Sequence, residues 1–244
     1  MCYKTALDKK AEEITKQTGR SFHIPEEFTP YKHNDAFTKP NLYIIPQDAP
    51  AKIYPAVWGL VPDFINTADS SLTPSEYVNR YKTFNARGEE FFEKRSYKSS
   101  AEGQRCLILA DGFYEPHHYK GKSQPFFCYL ENRALFAFAG LYTKLDHELY
   151  TTTIVTVEAN KTFELVHNNK KRMPLVLDDS LQEVWISDLN TNQVNEIVTS
   201  GFTNTPFQYH PVTNEIYKNR TMQGDKTQKR VDAFDPQFNQ GSLF

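Results

Sequence analysis

The chain has 244 residues, 39% of them apolar, with 18 Phe and 14 Tyr, enough to fill one large core or two small ones. Its formal charge of −2 excludes a globally basic nucleic-acid binder, so any phosphate-contacting surface must be a local cluster. Three widely spaced cysteines form neither a disulfide framework nor a CxxC metal pattern. The first residues lack an apolar signal region and no apolar run approaches ~18 residues, so a cytoplasmic chain without a membrane span is expected.

In chain order, the pattern predicts a helix over Lys9–Gln17, then strands over Leu42–Ile45 and Tyr54–Leu60. A helix is expected at Glu89–Arg95, where Phe91 and Phe92 give one apolar side. Strands follow at Arg105–Ala110, Phe126–Leu130, Leu135–Gly140, Thr151–Val157 and Pro174–Leu177, with a hairpin turn around Lys120–Ser123. These segments are β-branched or aromatic and bounded by Gly, Pro, Asn or Asp. Helices are expected at Ser180–Ile186 and Asn192–Thr199, the latter with Val194, Ile197 and Val198 at helical spacing. There is no repeat and no interdomain linker. The expectation is one α+β domain over residues 1–230, a curved, mainly antiparallel sheet or open β-barrel flanked by short helices. A polar tail follows over 231–244.

Cys2 carries the most distinctive chemistry. A small second residue lets an aminopeptidase remove Met1, leaving an α-amine and a thiol on one residue. Their ordinary pKa values are roughly 7.7–8.0 and about 8.5, so both nucleophiles are usable near neutral pH. The amine can condense with an aldehyde, and the thiolate can then close a five-membered thiazolidine. An incidental cysteine is the bland alternative.

Three further islands follow Cys2: Thr83-Phe84-Asn85-Ala86-Arg87-Gly88-Glu89, then Arg105-Cys106 with Asp111-Gly112-Phe113-Tyr114-Glu115, then His167 with Arg172-Met173-Pro174. Trp58-Gly59-Leu60-Val61-Pro62 and Ala139-Gly140-Leu141-Tyr142 lie between them. This ordered series, spanning about Cys2 to Val212, resembles the SRAP family (SOS-response-associated peptidase, the abasic-site processing proteins). No single island is decisive.

Read as residues, Asn85 offers donors and an acceptor, or caps a helix near Glu89. Arg87 is a planar fork suited to phosphate, or a surface ion pair. Glu115 follows aromatic neighbours that would raise its pKa toward proton-shuttle duty, or it is a surface carboxylate at a strand edge. His167 changes charge near neutral pH. The resemblance implies that Asn85 positions Cys2 or the sugar, that Arg87 grips the DNA backbone and that His167 opens the deoxyribose. It also implies that Trp58 lies against bases, as an alternative to filling the core. Two departures stand out. Pro116 occupies the usual tryptophan position after Glu115, and four residues, Asn168-Asn169-Lys170-Lys171, separate His167 from Arg172 where the family commonly has one. An outward loop bulge is expected to leave His167 in place.

Lys4, Arg80, Lys82, Arg87, Lys170, Lys171 and Arg172 are the candidate phosphate contacts, with Arg172 alternatively paired to a carboxylate under the sheet. His23, His33, His117, His118, His147 and His210 match no island and are read as surface or packing residues. His117-His118 lacks further ligands at a metal-site spacing, so neither metal nor organic cofactor is expected. The function implied is covalent capture of abasic sites in single-stranded DNA by a monomer, with accompanying lyase and self-processing chemistry. A thiol peptidase or amidohydrolase with Cys2 as terminal nucleophile is one alternative, a non-catalytic single-strand binder another.

Overall fold

The computed structural model describes residues 2–65, 71–146 and 149–239. Met1, His147 and residues 240–244 of the expected tail lie outside the described residues. The elements run β1 (Lys4–Leu7), α1 (Ala11–Thr18), β2 (Ser21–Phe22), β3 (Tyr31–Asp35), β4 (Asn41–Pro46), β5 (Lys52–Trp58) and α2 (Pro74–Tyr81). Next come β6 (Asn85–Arg87), α3 (Lys98–Gly103), β7 (Arg105–Ala110), β8 (Gly112–Tyr119), β9 (Lys122–Leu130), β10 (Phe136–Asp146) and β11 (Leu149–Glu158). The chain ends with α4 (Lys161–Val166), β12 (Arg172–Pro174), α5 (Asp179–Trp185), α6 (Thr191–Ser200), β13 (Phe207–Pro211) and α7 (Glu215–Lys218).

The expected α+β fold is present, and its sheet closes. β5, β4, β7 and β10 pair antiparallel in that order, β10 pairs with β11, and β11 returns to β5 in parallel register, Tyr150↔Ala56 to Thr152↔Trp58. Where β5 leaves that edge of β11, β6 takes over, Ile154↔Asn85 to Thr156↔Arg87. Gly140 is required here: a Cβ would sit 2.6 Å from Ile108 Cδ1 of the adjacent strand. Indole N–H of Trp185 reaches the Gly140 and Cys106 carbonyls at 3.3 and 3.1 Å, tying α5 to the barrel wall.

A second antiparallel sheet, ordered β13-β9-β8-β1-β3, packs against the barrel. Its inward Phe113 meets Phe136 and Phe138 of β10, Phe163 of α4 and Phe207 of β13, with ring centroids 5.5–6.2 Å apart. Such contacts build an aromatic interior around one strand, β8. The β8–β9 turn is Lys120-Gly121 (φ 47° and 76°), the two left-handed residues that a tight hairpin requires.

The helix expected at Glu89–Arg95 is absent. That stretch is a run of turns, with the amides of Glu90, Glu93 and Tyr97 each bonding three residues back. Only Phe91 is fully buried there, so no apolar stripe exists to hold a helix against the body. Residues 231–239 are docked: the Gln124 amide bonds both Asp232 O and Phe234 N, and Phe238 stands edge-on to Phe126. Among the described residues, no helix is long and apolar enough to cross a membrane, and no group of three His, Cys, Asp or Glu could hold a metal.

Candidate active site and nucleic-acid interface

Strand β1 runs between β3 and β8, with Lys4↔Tyr114 and Lys4↔Asp35 in register, which sets Cys2 at the end of the second sheet beside Glu115. Cys2 is fully buried and its Sγ donates to the Lys4 carbonyl at 3.5 Å. Burial raises the thiol pKa well above its ordinary value, and the nearby Glu115 charge adds to the shift. Glu115 shares the inward face of β8 with Phe113, because alternate side chains of a strand point the same way. Its carboxyl is wholly buried, and burial pushes its pKa up to about 7.

His167 ends α4, and its Nδ1 lies 3.1 Å from Glu115 Oε2 and 2.8 Å from the Arg172 carbonyl. A carbonyl only accepts, so Nδ1 carries the proton and Nε2 is the basic nitrogen. Burial lowers the His167 pKa to about 4, so the imidazole is neutral at physiological pH. The contact with Glu115 is then a close approach of two groups that burial keeps from pairing as ions, with the Nδ1 proton directed to the Arg172 carbonyl.

Two adjacent histidines fix that geometry. His117 Nδ1 lies 2.9 Å from the Leu165 carbonyl, while its Nε2 lies 3.1 Å from Asp235 Oδ2. One residue on, the Asn168 side chain accepts from His118 N–H at 2.9 Å and donates to His118 C=O at 2.8 Å. Residues on both sides of His167 are thus tied to the strand that carries Glu115. The four-residue loop turns back on itself, with Lys171 N–H on the His167 carbonyl at 3.0 Å and Lys171 left-handed (φ 48°). With the loop so arranged, His167 lies beside Glu115. Adjacency in sequence was the only signal for the His117–His118 clamp, and nothing pointed to Asn168.

Asn85 lies on β6, and its backbone carbonyl accepts from Tyr97 Oη at 3.0 Å. Both side-chain amide atoms are buried without a partner among the described residues. It caps no helix, since none begins near Glu89. A buried amide left unpaired costs ~1–3 kcal/mol, a cost that a bound polar ligand would relieve.

Arg87, Lys170, Lys171 and Arg172 surround a cleft of about 580 Å³ together with Glu158 and Glu164. Arg87 is half exposed and touches Glu90 at 3.1 Å; Lys171 reaches Glu164 at 3.4 Å and Lys170 is exposed. The inserted loop therefore contributes two cations to the cleft that starts at Arg87.

The family model "SOS response associated peptidase (SRAP)" matches residues 1–219. The chain belongs to the SRAP family. It is 33% identical over 198 residues to "Abasic site processing protein YoqW" of Bacillus subtilis, covering 79% of this chain and 83% of that protein. It is 30% identical over 187 residues to "Abasic site processing protein HMCES" of Xenopus tropicalis, covering 67% of this chain and 53% of that protein. A Bacteroides thetaiotaomicron protein of known crystal structure superposes with a TM-score of 0.80 at 22% identity, over 95% of this chain and all of that one, a likeness of fold.

Within this SRAP chain, three expected DNA contacts have other partners. Trp58 is fully enclosed and donates its indole N–H to the Phe84 carbonyl at 2.9 Å, so no base can stack on it. Its place at the end of β5 turns it into the barrel, and Gly59 (φ 131°) then redirects the chain where a Cβ would strike Val78. Lys4 is buried in an ion pair with Asp35, which withdraws its ammonium from phosphate. Arg172 grips both oxygens of Glu89 at 2.9 Å and the Thr156 carbonyl at 2.6 Å, bracing the floor of the cleft. Cys2, Glu115 and His167 are brought together; Arg87, Lys170 and Lys171 form the open basic rim.

Proposed function

We propose that this protein recognises an abasic site in single-stranded DNA and, once Met1 is removed, bonds to it through Cys2. The observation that carries the reading is the placement of the Glu115 carboxyl against both the buried Cys2 and the neutral His167. The family membership and the abasic-site names of its relatives support it.

An abasic deoxyribose equilibrates between a closed hemiacetal and an open aldehyde. His167 Nε2 takes the hemiacetal hydroxyl proton and returns it to the ring oxygen, opening the sugar. The neutral Cys2 amine adds to the aldehyde carbon, and loss of one water leaves an imine. Glu115, ionised above about pH 7, accepts the thiol proton. The thiolate forms a C–S bond to the imine carbon, and the nitrogen takes up the proton, giving a thiazolidine. An imine that persists instead loses the 3′ phosphate by β-elimination, a lyase side path. Self-release of Met1 would use the Cys2 thiol before its amine is free: sulfur attacks the Met1 carbonyl carbon, the amide nitrogen leaves with a proton as the Cys2 amine, and water then hydrolyses the thioester to free methionine. Asn85 supplies its amide to the sugar or to the Cys2 amine, while Arg87, Lys170 and Lys171 hold phosphates, the protein acting as a monomer.

Incubation with a single-stranded oligonucleotide bearing one abasic site tests this by a heat-stable shifted band. Cys2→Ser keeps the amine and should leave only a borohydride-reducible adduct. An undiminished heat-stable band from that variant removes the thiazolidine, and hydrolysis of a peptide reporter without DNA would favour the amidohydrolase instead.

A further inference from the structure

Beside Cys2 lies a second cavity, of about 380 Å³, that the proposed chemistry does not use. Tyr114, Pro116 and His118 line it, alternating along β8 with Glu115 and His117, so it opens on the opposite side of the strand from the carboxyl. At the start of β1 its lining is Tyr3 and Lys4, immediately after Cys2. Half of its lining residues carry aromatic rings, and two of them, Phe37 and Tyr217, are exposed by 38% and 36%. Both carry a cation: the Arg220 guanidinium lies 4.7 Å from the Phe37 centroid, and Lys4 Nζ lies 5.6 Å from the Tyr217 centroid. Lys4 is buried in its pair with Asp35, whereas Arg220 is half exposed with its Nε 4.0 Å from the same carboxylate, so Arg220 is the lining cation within reach of a phosphate.

Exposed aromatic faces interleaved with cations are how single-stranded nucleic acid is held, since every base offers a π-face. The exposed Arg220 provides a planar fork for the phosphate of the same nucleotide. From this arrangement we infer that the Phe37–Tyr217 cavity is a subsite for the intact nucleobase on one side of the abasic site. The inference rests on the proposed abasic-site function. It extends that function by placing one neighbouring base in an aromatic pocket and the strand's phosphates on the Arg87–Lys170–Lys171 rim, with Cys2 between them.

Equilibrium binding separates the two ideas because it requires no covalent step. The probes are single-stranded oligonucleotides with a tetrahydrofuran abasic analogue and, in turn, a base on both sides, a propanediol spacer on the 5′ side, or one on the 3′ side. Loss of the base on one side only should weaken binding about tenfold, as for one stacked base. Tyr217→Ala should weaken binding to the fully flanked oligonucleotide by a similar factor and add nothing on the spacer oligonucleotide that has already lost that base. Equal losses on both sides, or a Tyr217→Ala variant that binds all three as the parent does, overturn the subsite. If the parent binds the abasic analogue no better than intact strand, the underlying function fails instead. On the unaltered protein, a 5-bromouracil at the preferred flanking position should photo-attach to peptides containing Tyr3, Phe37 or Tyr217; attachment elsewhere also overturns it.

Discussion

Glu115 and His167 lie 3.1 Å apart, yet burial moves both toward their neutral forms, Glu115 up to about 7 and His167 down to about 4. Glu115 therefore holds a proton in the folded protein that the unfolded chain releases near its ordinary pKa of 4.5. Its contribution to stability is full below that value and is lost as pH rises through about 7. His167 acts in the other direction, contributing above its ordinary 6.5 and losing that as pH falls through about 4. The two slopes oppose each other between about pH 4.5 and 6.5, so denaturant melts should give a nearly flat unfolding free energy there and a decline only as pH rises from about 6.5 through 7, where Glu115 alone titrates. In Glu115→Gln the decline near pH 7 should be gone and the free energy should instead rise with pH between about 4 and 6.5, by at most about 3 kcal/mol, as His167 alone titrates; a profile equal to the parent's would mean that Glu115 is not the buried acid. The same residue makes a kinetic prediction. Crosslinking should accelerate as pH rises through about 7, where Glu115 ionises, and Glu115→Gln should be slow at every pH without weaker DNA binding.

At the scale of elements, the position of His167 depends on three hydrogen bonds from β8 rather than on α4 alone. His117 binds the carbonyl two residues before it and His118 makes a reciprocal pair with Asn168. Asn168→Ala should slow capture about tenfold, a fraction of the 10²–10⁴-fold typical of an acid–base group, while leaving DNA affinity and melting nearly unchanged. A capture rate equal to the parent's would show that the loop needs no tether. Much of this level is legible in the sequence. The β-branched and aromatic runs mark β4, β5, β7, β9, β10 and β11, and the apolar spacing of Val194, Ile197 and Val198 marks α6. The Glu89–Arg95 helix fails because Phe91 and Phe92 are an isolated apolar pair, not a periodic stripe. β1 and β3 carry too few β-branched residues to announce themselves; their pairing with β8 is a tertiary effect, as is the parallel join of β11 to β5 that closes the barrel. Cys2, Glu115 and His167 are singled out in the sequence by the ordered SRAP islands and not by any one residue's chemistry, and Trp58 misleads because a tryptophan near a site suits either a base or a core.

For the molecule as a whole, a net charge of −2 coexists with a compact basic rim. Affinity for DNA should accordingly fall with salt as only a few phosphates are neutralised. Replacing Lys170 and Lys171 with Ala should reduce the slope of log K against log[salt] by about 0.7 for each phosphate that is no longer neutralised. A slope equal to the parent's would place the phosphates elsewhere. The fold brings Glu115 and His167 beside Cys2, and the proposed function requires that loss of Met1 free the Cys2 amine for the abasic sugar. Mass spectrometry of the protein after reaction with abasic single-stranded DNA tests that claim most directly. The predicted result is a DNA remnant on the N-terminal peptide, attached through residue 2 with Met1 absent. Attachment at a lysine or an internal cysteine, or the absence of any adduct, would contradict it.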